Sequence, residues 1–126
     1  MRIERIDHIV PTVRDIGATC RFYSRALGME VVTFGEGRKA LSFAVQKLNL
    51  HEAGREVEPK ADRPIPDSAD MCLVTATPIE AVIGHVRSVV APALEGPVRR
   101  TGATGPILSV DFRDPDQDLI EVSNYL

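Results

Sequence analysis

Four side chains that can donate to a cation or a substrate, His8, Asn49, Asp70 and Glu121, fall at matching places in the two halves of this 126-residue chain. The match rests on spacing. His8 lies seven residues before Asp15, which suits a helix N-cap, and Asp70 lies the same seven before Thr77, which suits a second one. At the far end of each half, Leu48-Asn49-Leu50 overlays Ile120-Glu121-Val122. Side chains alternate across a strand, so Asn49 and His51 share one face while the leucines take the other, and Glu121 is set apart from Ile120 and Val122 in the same way. Leu108, Val110 and Phe112 likewise leave Ser109 and Asp111 on the opposite face. A histidine, two carboxylates and an amide brought to one cleft make an oxygen-rich site suited to a divalent cation. Each also has an ordinary reading: Glu121 as part of a solvated sheet face, His8 as a half-buried histidine bonded to backbone, Asp70 as a turn carboxylate. Asn49 and His51 can each reach a metal or a ligand, and His51 reads better as a substrate contact or as support behind a metal ligand.

The elements that must position these residues form a repeated pattern. IDHIVPTV, from Ile6, reads as a strand, with Pro11 placing it at an edge or near its end. A helix follows from Asp15, with Ile16, Cys20, Tyr23 and Leu27 on one face and Gly28 as its stop. Strands are expected over 29–34, 39–45 and 46–52. Residues 53–69 hold three prolines, many charges and no periodicity, so they read as a linker or long surface loop. The second half repeats the order: a strand over 70–75, a capping box at Thr77-Pro78-Ile79-Glu80, a helix with Ile79, Val82, Ile83, Val86 and Val90 inward that stops before Pro92, then strands near 97–101, 107–112 and 118–123. The expected fold is therefore α+β, with two βαβββ modules (about 4–52 and 70–126, joined by 53–69) pairing into a curved mixed sheet around a cleft, all within one domain.

Composition narrows the function. Lys and Arg number 15 against 18 Asp and Glu, a net charge of −3, so nucleic acid is not an expected partner. The first ten residues carry charges where a signal peptide needs an apolar core, and no apolar run approaches the roughly 18 residues of a membrane span, so a cytoplasmic location without membrane contact is expected. Cys20 and Cys72 lack metal-ligand spacing and read as reduced, buried thiols, and His85 reads as a surface residue. A separate basic group, Arg38, Lys39, Lys47, Arg99 and Arg100, offers capture of a phosphate or carboxylate, with scattered solvated charge as the competing reading. GxGxxG, Walker A, HExxH and GxSxG patterns are absent.

The two halves, opened by DHIVPTVRDIGATCRFYSRALGMEV and closed by FRDPDQDLIEVSNY, resemble the vicinal oxygen chelate superfamily of glyoxalases, bleomycin-resistance proteins and dioxygenases over nearly the whole chain. GRKALSFAVQKLNLHEAGREVEPKA with GPVRRTGATGPILSVDFRDPD is most similar to the small glyoxalase-domain proteins of the virulence type. The resemblance implies metal ligands at His8, Asp70 and Glu121, with Glu121 also catalytic, and a divalent cation that could be Mn, Ni, Zn, Mg or Fe. Asn49 falls where glyoxalase I has a carboxylate, and Asp70 where other branches have a second histidine. Asn49, His51, Arg38, Arg100, Ser109 and Asp111 are then substrate contacts or supports of the ligands. With one histidine at the expected places, iron dioxygenase chemistry ranks below Lewis-acid catalysis of a lyase, isomerase or transferase reaction on a small oxygenated molecule. The alternative is a metal-free binding protein of the bleomycin-resistance kind, against which the 5% aromatic content argues. A homodimer is expected, since modules in this superfamily pair within or between chains.

Overall fold

Asp15 caps a helix as its spacing predicts: its carboxylate accepts the Ala18 N–H at 2.9 Å, and Gly28 closes the helix in the left-handed conformation (φ 65°) that glycine adopts without strain. This helix, α1 (Ile16–Leu27), buries Thr19, Tyr23 and Ala26, with Ile16, Cys20 and Leu27 half-buried beside them. The computed structural model describes residues 1–90 and 94–126 and divides into two compact units, Met1–Asp67 and Ser68–Leu126. The secondary structure is α+β in both.

In the first unit β1 (His8–Ile9), β2 (Thr12–Val13), α1, β3 (Glu30–Phe34), β4 (Arg38–Phe43), β5 (Gln46–Asn49) and β6 (His51–Glu52) follow in order. The main sheet runs β1-β5-β4-β3, with β1 at its edge, and β2 pairs only with β6. The strands expected over IDHIVPTV and 46–52 are thus each two pieces. Pro11 has no N–H to give the ladder. Its carbonyl instead accepts the His51 N–H at 3.1 Å, which moves the pairing from β1–β5 to β2–β6.

The second unit holds β7 (Asp70–Val74), α2 (Ile79–Val89), β8 (Glu95–Gly102), β9 (Gly105–Arg113) and β10 (Leu119–Tyr125), in sheet order β7-β10-β9-β8. Both units carry the same parallel pairing. His8 lies opposite Lys47, two residues before Asn49, and Asp70 lies opposite Leu119, two residues before Glu121. Thr77 does not cap α2. Its N–H donates to Thr75 Oγ1 and its carbonyl accepts from Asn124 Nδ2, while the Pro78 carbonyl takes the Ala81 and Val82 N–H groups. Pro92, expected to stop this helix, lies outside the described residues.

Val13, Tyr23, Leu41 and Leu48 centre the first core, and Val82, Val86, Val110, Phe112 and Ile120 the second, where α2 packs on β9 and β10. Each such side chain contributes roughly 1.5–3 kcal/mol by leaving water. Residues 53–67 cluster with the first unit instead of running free: Ala53 N–H donates to Val13 O at 2.8 Å, and Arg14 pairs with Asp67 at 2.7 Å. No described helix is long and apolar enough to cross a membrane.

Candidate functional site

The polar face of the first unit's sheet opens onto a cavity of about 470 Å³. Strand register assembles its floor. Phe34 lies opposite Arg38, Ala40 opposite Asn49, His8 opposite Lys47 and Thr12 opposite His51, so residues far apart in sequence share one face. The segment 57–64 supplies a wall through Val57, Pro59 and Lys60. His8, Arg38, Asn49 and His51, all singled out by sequence, line this one space, and Phe34, Lys47 and Lys60 join them.

Two polar atoms of residues that line this cavity are buried without a partner, the amide oxygen of Asn49 and Nε of Arg38. The Arg38 guanidinium lies 4.8 Å from the centre of the Phe34 ring and the Lys47 ammonium 3.9 Å from it, so one aromatic ring collects two cations. His8 is held differently. Its Nδ1 pairs with the Asp7 carboxylate at 2.8 Å, which leaves Nε2 for other work, and that bond in turn holds Asp7 below the usual carboxylate range. Burial, assisted by the Arg38 charge, holds the His51 imidazole below its ordinary value, so His51 is neutral at pH 7 and can accept a proton.

The second unit builds a hydrogen-bonded network from the other predicted residues. Ser109 Oγ, fully buried, donates to Glu121 Oε1 at 2.5 Å and lies 2.8 Å from Ser123 Oγ, which itself reaches Glu121 Oε1 at 3.3 Å. Arg100 pairs with Asp111 at 2.5 Å and places its Nε 3.8 Å from Glu121 Oε1. Asp111 and Glu121, directly opposite each other on β9 and β10, would repel, and Arg100 supplies a countercharge between them. Asp70 stands apart from this network. It is exposed at the start of β7, and the residue opposite Glu121 is Cys72. Cys72 is exposed, not buried as expected, because alternation along β7 turns it outward. Its thiol is pushed up by desolvation and by Glu121, which keeps it protonated at neutral pH and a poor nucleophile.

Asp7, Phe34, Lys60 and the wall at 57–64 join the site without having been marked by the sequence, whereas Lys47 belongs to the expected basic group and Ser123 shares the face of Glu121 as alternation along the strand requires. Nothing local marks 57–64, which has no periodicity. Also missed was a cluster of Asp114, Asp116 and Asp118, buried in the turn before β10, with carboxylate oxygens within 4.8 Å of one another. Asp114 Oδ1 accepts the Asp116 and Asp118 N–H groups, so the first carboxylate shapes the turn.

Asp118 is raised from 3.8 to about 6, chiefly by burial and further by Asp114 and Asp116, against the lowering effect of the Ala69 N–H bond. A raised carboxyl makes the folded chain bind protons more readily than the unfolded chain. Its stabilising contribution is therefore complete below about pH 4 and is lost as pH climbs through about 6. Asp118→Asn keeps an oxygen for Ala69 and is expected to add about 1 kcal/mol near pH 7 while changing little near pH 4. Urea unfolding at the two pH values checks this, and an equal effect at both contradicts it.

Residues 5–122 match the family model described as Glyoxalase/Bleomycin resistance protein/Dioxygenase superfamily. The chain is 54% identical over 126 residues to virulence protein STM3117 of Salmonella typhimurium, covering all of this chain and 88% of that one. Against the crystal structure of that protein the TM-score is 0.97, with 100% of both chains covered. It is 50% identical over 125 residues to glyoxalase domain-containing protein RDO1 of Mycosarcoma maydis, covering 99% of this chain and 70% of that protein. The lactoylglutathione lyase of Agrobacterium tumefaciens shares the fold, with TM-score 0.74 at 20% identity over 98% of this chain and 96% of that one.

Proposed function

Because the chain belongs to the glyoxalase/bleomycin resistance protein/dioxygenase superfamily, we propose that it acts on a small oxygenated molecule with the help of a divalent cation. His8 in the first unit, and Asp70 and Glu121 in the second, are the residues we propose as cation ligands. A cation so held supplies a Lewis acid that polarises a substrate oxygen. The donor chemistry supports this assignment. Metal-binding histidines usually give their second ring nitrogen to a carboxylate, and ligating carboxylates are themselves hydrogen-bonded. His8 has Asp7 on Nδ1, and Glu121 has Ser109 and Ser123 on a single oxygen, Oε1. Each side chain is thus oriented by one atom while the other stays open, and the Asp7–His8 pair carries the reading.

The chain's own residues do the remaining work. Phe34 and Val57 give the cavity apolar surface against which a substrate excludes water, and Arg38, Lys47 and Asn49 orient its polar end. His51, neutral and buried in the same cavity, is the proton acceptor we assign to a lyase or isomerase step. Exposed apolar residues of β1 and β8, Ile9 and Val98 among them, favour a homodimer, and light scattering tests that state.

Thermal unfolding against Mn, Ni, Zn, Mg and Fe tests the proposal. At least one ion is expected to raise the melting temperature as its concentration passes Kd, since a ligand that binds only the folded chain adds about 2.7 kcal/mol at 100 times Kd. No shift with any of the five overturns it. Asp7→Asn is expected to weaken the same ion by about 10–100-fold, the usual cost of losing the carboxylate behind a histidine ligand. Isothermal titration measures the change, and unaltered affinity would remove Asp7 from the site.

A further inference from the structure

We propose that the cavity of the first unit selects a small hydroxylated anion: Arg38 and Lys47 take its anionic oxygens, and the Asn49 amide oxygen accepts its hydroxyl. Cavity charge points to an anion. Arg38, Lys47 and Lys60 line the space against one carboxylate, Glu58, which is already 3.4 Å from Lys60. Neither Arg38 nor Lys47 has a carboxylate at ion-pair distance among the described residues, although Asp7 feels the Lys47 charge, and both lean on Phe34. Nε of Arg38 is buried with nothing to donate to, and an anionic oxygen is the acceptor that satisfies it most strongly.

Asn49 sharpens the class from an anion to one that also donates. It is only 6% exposed, and its amide oxygen has no hydrogen-bond donor. An acceptor buried in this way is costly until a donor arrives. An anionic oxygen cannot serve, whereas a hydroxyl beside the anionic group serves both atoms at once. A neutral apolar ligand would leave both Arg38 Nε and Asn49 unsatisfied. The volume of about 470 Å³ suits a compact metabolite. That this ligand is the substrate rests on the function proposed above; that it binds does not.

Isothermal titration of the chelator-treated full chain tests the inference with four probes: malate, glycerol 3-phosphate, succinate, which lacks the hydroxyl, and malamide, which is neutral. Malate or glycerol 3-phosphate is expected to bind saturably at millimolar concentration or below, the tighter of the two identifying carboxylate or phosphate as the anionic group. Malamide is expected not to bind. Arg38→Gln and Lys47→Gln should each weaken binding by about tenfold or more, with melting curves confirming that both variants fold. Asn49→Leu should remove the preference for malate over succinate while succinate affinity stays. Malamide binding as well as malate, unchanged affinity in both charge variants, or no saturable binding of either anion overturns the inference. Because metal is absent throughout, anion binding together with failure to bind any metal would leave this inference standing and defeat the Lewis-acid proposal. Metal binding without anion binding would do the reverse.

Discussion

His8→Ala is expected to weaken divalent-cation binding by more than about 100-fold, beyond the 10–100-fold that loss of a supporting hydrogen bond brings, while leaving the fold intact. His8 sits on β1, an edge strand of two residues, and its side chain is 44% exposed. Alanine there removes little packing, and Asp7 regains water in place of its histidine partner. Stability should change by no more than about 0.5 kcal/mol, as for other exposed positions. Glu121→Ala is expected to lose the metal too, but it strips the acceptor from Ser109, which is fully buried, and a neighbour from Arg100. The histidine variant therefore separates binding from folding more cleanly. Calorimetric titration with unfolding curves on the same sample checks both halves of the prediction. Retained affinity would remove His8 from the ligand set.

Phe112→Ala is expected to cost about 3–5 kcal/mol, the largest stability effect of any substitution considered. Phe112 is 1% exposed, sits opposite Ile120 on the neighbouring strand, and belongs to the sheet on which α2 packs. Alanine would leave a cavity that backbone laddered to β10 cannot readily close. A whole small domain has only about 5–15 kcal/mol in reserve, so the second unit is expected to unfold at a much lower urea concentration. Val74→Ala, at a position 59% exposed on β7, should cost within about 0.5 kcal/mol and serves as the control. A loss below about 1 kcal/mol for Phe112→Ala would show that this core is not packed as described.

Much of this arrangement was legible in the sequence, because the signals are local. The Asp15 cap, the Gly28 stop and the shared face of Ser109, Asp111 and Glu121 each depend on near neighbours, and each is seen in the structure. The equivalence of His8 with Asp70, read from spacing to two helices, reappears as the same register against β5 and β10. The failures involve distant partners. Thr77 has the residue type of a cap, but Asn124, from the last strand, holds its carbonyl. Residues 57–64 have linker composition, yet the sheet offers them a face to cover, and only tertiary structure reveals it. Alternation grouped Asp111 with Glu121 correctly. It could not show that Arg100, on the adjacent strand, would pair with Asp111 and approach Glu121.

Metal stoichiometry tests the central claim most directly. The chain is stripped with a chelator, dialysed against manganese, nickel or zinc, and washed, and its metal content is read by elemental mass spectrometry beside His8→Ala. The account predicts close to one equivalent of at least one metal in the wild-type chain and little in the variant. Less than about a tenth of an equivalent of every metal in the wild-type chain, with the fold intact, would contradict it.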